Sequence, residues 1–290
     1  MNSFDIAEHL SNKNSLLPLV IDRLGKYPSD FTEKMNTLQP TGTAGEKHSA
    51  AGVVLLLHFK SNGRLPTKDK GEFFFQLIKR SIKVPQPGDL SCPGGVINTF
   101  WDPLLRSLLM SRFISILDGD ALQYLRKRDA TTIRLITIFL ANAIRESWEE
   151  TGLRPWNILF LGPLPSYSLL LFKRTIFPLV CFVKKEWNFQ PNPEVEKVIE
   201  IPLRCFFDIN HYGIYNIETS DQFDKKYHEP RKFPCLIIHD QEGREEILWG
   251  ATFYIIMSFL KIIFNFDIPD ISSKRIIKRT LGPEYLKGIH

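Results

Sequence analysis

The chain has 290 residues, 43% hydrophobic and 24% charged, the composition of an ordinary soluble globular protein with a sizeable core. Its 37 basic and 32 acidic residues leave a formal charge of +5. That excess is too small to predict nucleic acid binding and suits an anionic small substrate. Cys92, Cys181, Cys205 and Cys235 lie far apart with no ligand spacing, which predicts reduced thiols and a cytoplasmic protein. The N-terminus lacks a basic segment followed by an apolar run, so no signal peptide is expected. The longest apolar run, 253–266, contains Lys261 and is too short to span a bilayer.

In chain order, residues 1–47 read as an N-terminal extension and linker. SLLPLVIDRL there has the spacing of a short amphipathic helix, ahead of the polar QPTGTAGEKHS. AAGVVLLLHF (50–59) is a continuous β-branched and leucine run, the pattern of a strand buried on both faces. FFFQLIKRS (73–81) reads as its hairpin partner across the turn-rich NGRLPTKDKGE. A loop rich in Pro and Gly follows, VPQPGDLSCPGGVINTF, and then residues 103–150 have helical period with a break at 118–120. WNILFLGPL and TIFPLVCFVK read as strands, and EVEKVIEIPLRCFF as a strand running into a short helix. PCLIIHD with EILWG suggests a last hairpin, and 250–265 a closing helix. This order predicts an α+β fold, a mixed sheet between helices around one core.

The segment AIRESWEETGL (143–153) raises a chemical question. Glu146, Glu149 and Glu150 stand at i, i+3 and i+4, where like charges repel by a few tenths of a kcal/mol each. A divalent cation would compensate. Oxygen-only ligation suits Mg²⁺ or Mn²⁺, which keep several waters and share phosphate oxygens. Upstream, Gly94 and Gly95 of CPGG permit close backbone approach to a ligand. Together these point to a hydrolase acting on a phosphoanhydride, with the cation lowering the pKa of an attacking water.

These residues resemble the Nudix box, in which a glycine and a glutamate precede a helix of the pattern R-E-U-x-E-E-x-G-U, U being a bulky apolar residue. Arg145, Glu146, Glu149, Glu150, Gly152 and Leu153 match it, with Ser147 at a U position. Counting from Gly95, Trp101 stands at the glutamate position, with Asp102 next to it, and about 36 residues are inserted before Arg145. The LIKRS strand, Gly88, Pro93, Gly94, Gly95 and the later Trp249, Gly250 and Thr252 are similar to the coenzyme A diphosphatase branch.

The resemblance implies a Nudix-like mixed sheet sandwiched between helices over residues 48–268, a helical insertion over about 103–140 and a C-terminal tail over 269–290. It implies metal-dependent cleavage of coenzyme A or acyl-CoA into a phosphopantetheine product and 3′,5′-ADP. Glu146 and Glu150 would be the principal metal ligands, with Glu149 sharing the cluster and Arg145 orienting a glutamate. A Gly94 or Gly95 carbonyl would complete the shell. Arg80, or else Lys79, would hold phosphate, since only one of two successive strand residues points inward. A late-loop carboxylate, Glu194, Glu196, Glu245 or Glu246, would join the site. The expected partners are a small-molecule nucleotide and, optionally, a second copy of the chain as a homodimer, with no nucleic acid and no membrane. Two alternatives stand beside this: hydrolysis of another nucleoside diphosphate derivative such as ADP-ribose or NADH, and a non-catalytic Nudix-like binding module.

Overall fold

The architecture grows outward from β1 (Ser49–Ser61), whose Val54, Leu55, Leu56 and Leu57 are buried alternately on two faces. A strand apolar on both sides belongs at the centre of a covered sheet, and β1 takes that place. The computed structural model describes residues 3–38, 48–61, 70–111, 114–169, 173–219, 232–281 and 285. β1 pairs antiparallel with β2 (Gly71–Arg80) and parallel with β7 (Arg174–Val183), within the order β3-β2-β1-β7-β5. Here β3 is Leu90–Ser91 and β5 is Ile158–Pro163; β4 (Gly94–Val96), β6 (Tyr167–Leu169) and β8 (Val195–Pro202) attach to β1, β7 and β2. The turn between β1 and β2, 62–69, lies outside the described residues.

Helices cover both faces, as the α+β reading expects. Seven are described: α1 (Ser3–Ser11), α2 (Lys13–Lys26), α3 (Phe31–Leu38), α4 (Trp101–Met110), α5 (Gly119–Arg126), α6 (Ala130–Thr151) and α7 (Gly250–Phe264). Leu55, Leu57, Phe73 and Phe75 pack with α2 and α7 on one face. Val54 and Leu56 pack with Ile136, Phe139 and Leu140 of α6 on the other. α6 starts at Asp129, whose carboxylate accepts the Thr132 N–H, and stops at Gly152, where φ of +71° suits glycine. The segment read as an insertion is thus α4, α5 and the first turns of α6; of the expected break at 118–120 only Asp118 lies outside a helix, and a second break follows at 127–129.

Two parts differ from the sequence expectation. The N-terminal extension is not an appendage: Leu16, Val20, Leu24 and Phe31 are fully buried. Its apolar stripe at i, i+4, i+8 is interleaved with polar residues, and Pro18 sits inside α2, which hides it from a local reading. The C-terminal tail is not loose either. β12 (Ile276–Leu281) pairs parallel with β9 (Tyr212–Thr219) in a second sheet, β11-β10-β9-β12. Its β10 (Lys232–His239) and β11 (Glu245–Leu248) form the expected hairpin. No helix among the described residues is long and apolar enough to cross a membrane.

Leu16→Ala is expected to cost about 2–5 kcal/mol in chemical denaturation; a loss below 1 kcal/mol would mean that α2 is dispensable. A second test concerns Glu200 on β8, which accepts hydrogen bonds from Gln76 Nε2 at 3.1 Å and from Lys60 Nζ and lies 3.8 Å from His58. Burial opposes its charge, but nearby His58 and the bonds from Lys60 and Gln76 prevail and lower its pKa to about 2. A depressed folded-state pKa contributes stability that is present above the unfolded value, about 4.3, and lost as pH falls toward 2. Glu200→Gln should therefore cost about 2 kcal/mol at pH 7 and flatten the acid limb of the stability curve between these values.

Candidate active site

The last two turns of α6 carry Arg145, Glu146, Glu149 and Glu150. The helix is anchored by its apolar stripe, so these turns project beside β4 at one end of the sheet. Ser147, at the apolar box position, faces inward and is fully buried. A small residue there lets the helix lie close to the sheet.

Arg145 is the hub. Its Nε donates to Asp102 Oδ1 at 2.8 Å, Nη2 to Glu146 Oε1 at 2.7 Å and Nη1 to Glu149 Oε2 at 2.9 Å. Burial opposes its charge, but the bond it donates to Asp102 and the charges of Glu146 and Asp102 raise its pKa. Asp102 is fully buried and also accepts from the Asn98 N–H (2.7 Å) and Asn142 Nδ2 (3.0 Å). Asn142 in turn donates to the Val96 carbonyl and accepts the Gly52 N–H. The carboxylate that holds Arg145 therefore stands one residue past the position holding Trp101, which is exposed.

Asp102 and Asn142 are the residues that sequence reasoning left without a role. Asn142 was discoverable, because it precedes Arg145 by three residues and so shares its helix face. Asp102 was not, because it meets Arg145 only through the packing of α4 on α6.

Glu150 is buried, and the Gly94 N–H donates to its Oε2 at 3.1 Å. Burial pushes its pKa up to about 8, and the charge of Glu146 adds to the rise against that hydrogen bond. Burial likewise raises Glu146, opposed by Arg145. A Cβ on Gly95 would stand 2.5 Å from Glu146 Oε1, so glycine is what admits this carboxylate. Glu149 differs: its side chain is 54% exposed and its described contact is with Arg145. Cys92, beside Glu150, is buried and its thiol is pushed up to about 12, which keeps it unreactive.

Of the successive residues Lys79 and Arg80, the strand turns Arg80 toward the site. Arg80 lines a cleft of about 370 Å³ with Gly94, Gly95, Arg174, Trp249 and Tyr254. Lys79 pairs instead with Glu246 and Glu196. Among the late carboxylates, Glu246 is thus engaged with Lys79 and Lys197, and Glu245 with Arg275. Glu194 is the one whose charge bears on Glu150. Trp249 stacks on Tyr215 at 4.4 Å and donates to Asp89 at 3.2 Å, forming part of the cleft wall.

Among the described residues no group of three His, Cys, Asp or Glu is arranged to hold a metal ion. The donor set nevertheless fits a hard cation. Glu146 and Glu150 are oxygen donors, mutually repelling and poorly solvated beside a glycine backbone. Mg²⁺ commonly uses one or two carboxylates, leaving its other positions to water and substrate oxygens.

No family model matches the chain. It is 31% identical over 119 residues to NudL of Pectobacterium atrosepticum, an uncharacterised Nudix hydrolase. The match takes in 40% of this chain and spans about half, 55%, of that relative. Among solved structures, RenU, a Nudix hydrolase from M. smegmatis, is 13% identical with a TM-score of 0.33, covering 53% of this chain and 71% of its own. A Nudix hydrolase from Alicyclobacillus acidocaldarius is 12% identical with a TM-score of 0.37, covering 56% and 82%. The Nudix domain of Shewanella oneidensis NrtR, complexed with ADP ribose, is 14% identical with a TM-score of 0.30, covering 60% and 83%. Scores this low carry no argument about fold or ligand; the sequence likeness is to the Nudix hydrolase superfamily.

Asp102→Ala should destabilise the protein by about 1–3 kcal/mol, since Arg145 Nε, Asn142 Nδ2 and the Asn98 N–H lose their shared acceptor. Arg145→Met should cost less in the Asp102→Ala background than alone, giving a coupling of about 1–3 kcal/mol in urea denaturation. Additive losses would show that the pair does not hold α4 to α6.

Proposed function

We propose that this chain is a Nudix diphosphatase, hydrolysing a phosphoanhydride bond in a nucleotide derivative with Mg²⁺ or Mn²⁺, and that coenzyme A or acyl-CoA is its substrate. The observation that carries this reading is Arg145 clamped between Asp102 and Glu146, with Glu146 and Glu150 set against Gly94 and Gly95. Bound at Glu146 and Glu150, a divalent cation would neutralise diphosphate charge and lower the pKa of an attacking water.

The chain's own residues do the positioning. Arg145 fixes the Glu146 carboxylate in one orientation by a charge-assisted bond. The Gly94 N–H fixes one oxygen of Glu150 and leaves the other for ligation. Arg80 is placed to take a phosphate oxygen, while Trp249 and Tyr254 offer apolar wall for the rest of a nucleotide. Water then attacks phosphorus as the bridging P–O bond breaks, and the water's proton passes to a site carboxylate. Cleavage of coenzyme A this way yields a phosphopantetheine product and 3′,5′-ADP.

The test is a panel of coenzyme A, acyl-CoA, ADP-ribose, NADH and diadenosine polyphosphates, each with Mg²⁺ or Mn²⁺. Coenzyme A turnover is expected, and Glu150→Gln should lower kcat about 10²-fold or more while the protein stays folded. ADP-ribose turnover without coenzyme A turnover would overturn the substrate. No turnover together with no metal binding would make the chain a binding module.

A further inference from the structure

The cleft contains a cation for which the chemistry above has no use. Arg174 opens β7 and lines the cleft, half-buried. Its Nε donates to Ser49 Oγ at 3.3 Å, and no carboxylate among the described residues pairs with it. Burial and then the positive charge of Arg80 lower its pKa. Arg80 donates from Nε to the Pro85 carbonyl at 2.8 Å and likewise forms no ion pair among the described residues. Two guanidiniums therefore share one cleft and repel one another. An arginine needed only for its aliphatic stem would leave its head in water, but this one turns into the cleft. Anionic groups bound along the cleft relieve that repulsion.

The strand register says how far this lies from the carboxylates. Gly52 of β1 pairs with Gly95, and Ser49 pairs with Arg174. Those β1 positions are three residues, about 10 Å, apart. A phosphate at Arg174 is therefore not the one over Glu146 and Glu150, but one further along the same molecule. Between the two levels, Tyr167 pairs with Ile176 of β7, stacks on Tyr254 at 5.9 Å and lines the same cleft.

The geometry points to Arg174 as an anion site that binds a second phosphate of the substrate, beyond the phosphate held between Arg80 and the α6 carboxylates. It selects nucleotide derivatives with charge at both places. Its placement relative to the bond cut rests on the diphosphatase reading; the anion site itself does not.

Isothermal titration of the metal-free protein with inorganic pyrophosphate, and separately with inorganic phosphate, tests the site without turnover. Wild type should bind pyrophosphate. Arg174→Ala should weaken that binding about 10- to 100-fold, the worth of a lost charged hydrogen bond. Arg174→Lys should fall between, because an ammonium keeps the charge and loses the fork. Melting curves without anion check that both variants are folded, and Arg154→Ala, outside the cleft, should match wild type. With a substrate from the panel, Arg174→Ala should raise KM far more than it lowers kcat. Absence of pyrophosphate binding by wild type, or equal affinity in folded Arg174→Ala, overturns the anion site. Pyrophosphate binding that depends on Arg174 without hydrolysis of any compound in the panel supports the anion site and defeats the hydrolase reading. Hydrolysis with unchanged KM in Arg174→Ala does the reverse.

Discussion

One guanidinium organises the candidate site. Arg145 spends its donors on Asp102, Glu146 and Glu149, three carboxylates from two helices. Neither end of this arrangement stands alone. Asp102 without Arg145 would be a fully buried anion, and Arg145 without Asp102 would be held only by the flexible side chains it is meant to orient. Burying such a pair brings little net stability, because desolvation offsets most of the attraction. What the pair does provide is geometry. With Asn142 completing the bonds to Asp102, Val96 and Gly52, one polar cluster ties α4, α6, β4 and β1 into a single frame. Every later choice at the site, including which way Glu146 faces, follows from that frame.

The frame also explains how like charges are tolerated at the end of α6. Glu149 leans outward onto Arg145 and into solvent, while Glu146 and Glu150 face the glycine strand. The charge of Glu149 still bears on Glu146, and that of Glu146 on Glu150, each a smaller effect than burial. Their pKa values rise for want of solvent, not for want of order. Arg80 and Arg174 line the adjoining cleft, whose Gly94 and Gly95 wall is backed by Glu150 and Glu146.

How much of this could be read from the sequence depends on the range of the interaction concerned. The α6 turns were legible because Arg145, Glu146, Glu149 and Glu150 lie on one element, where spacing alone gives the face. β1 was legible because its apolar run demands a central position. Arg80 was half legible: alternation says that Lys79 and Arg80 point apart, but only the sheet says which faces the cleft. Asp102 was not legible, since 43 positions separate it from its partner. The second sheet was partly hidden for the same reason. β10 and β11 are a local hairpin, whereas β9 and β12 pair across some sixty residues, and Ile276 of β12 is half exposed. The N-terminal helices were misread because burial of Leu16, Val20 and Leu24 depends on a sheet that forms later in the chain.

Those helices bear on how the glycine strand and the end of α6 are held together. α2 packs on α5, and Arg128 donates to the carbonyls of Leu24, Gly25 and Tyr27, capping the last turn of α2. Tyr124 donates to Asp22 at 2.6 Å, and Phe31 meets the rings of Phe139 and Phe177 edge-on. The described residues between Gly95 and Arg145 are therefore tied down along their length. They form a helical layer fastened to the N-terminal helices on one side and to α6 on the other. Closing such a segment costs little beyond its length-dependent entropy, since its residues are already ordered by their own packing. Asp102 can then reach Arg145 as reliably as a residue in a short loop would, because the wall that carries it is rigid.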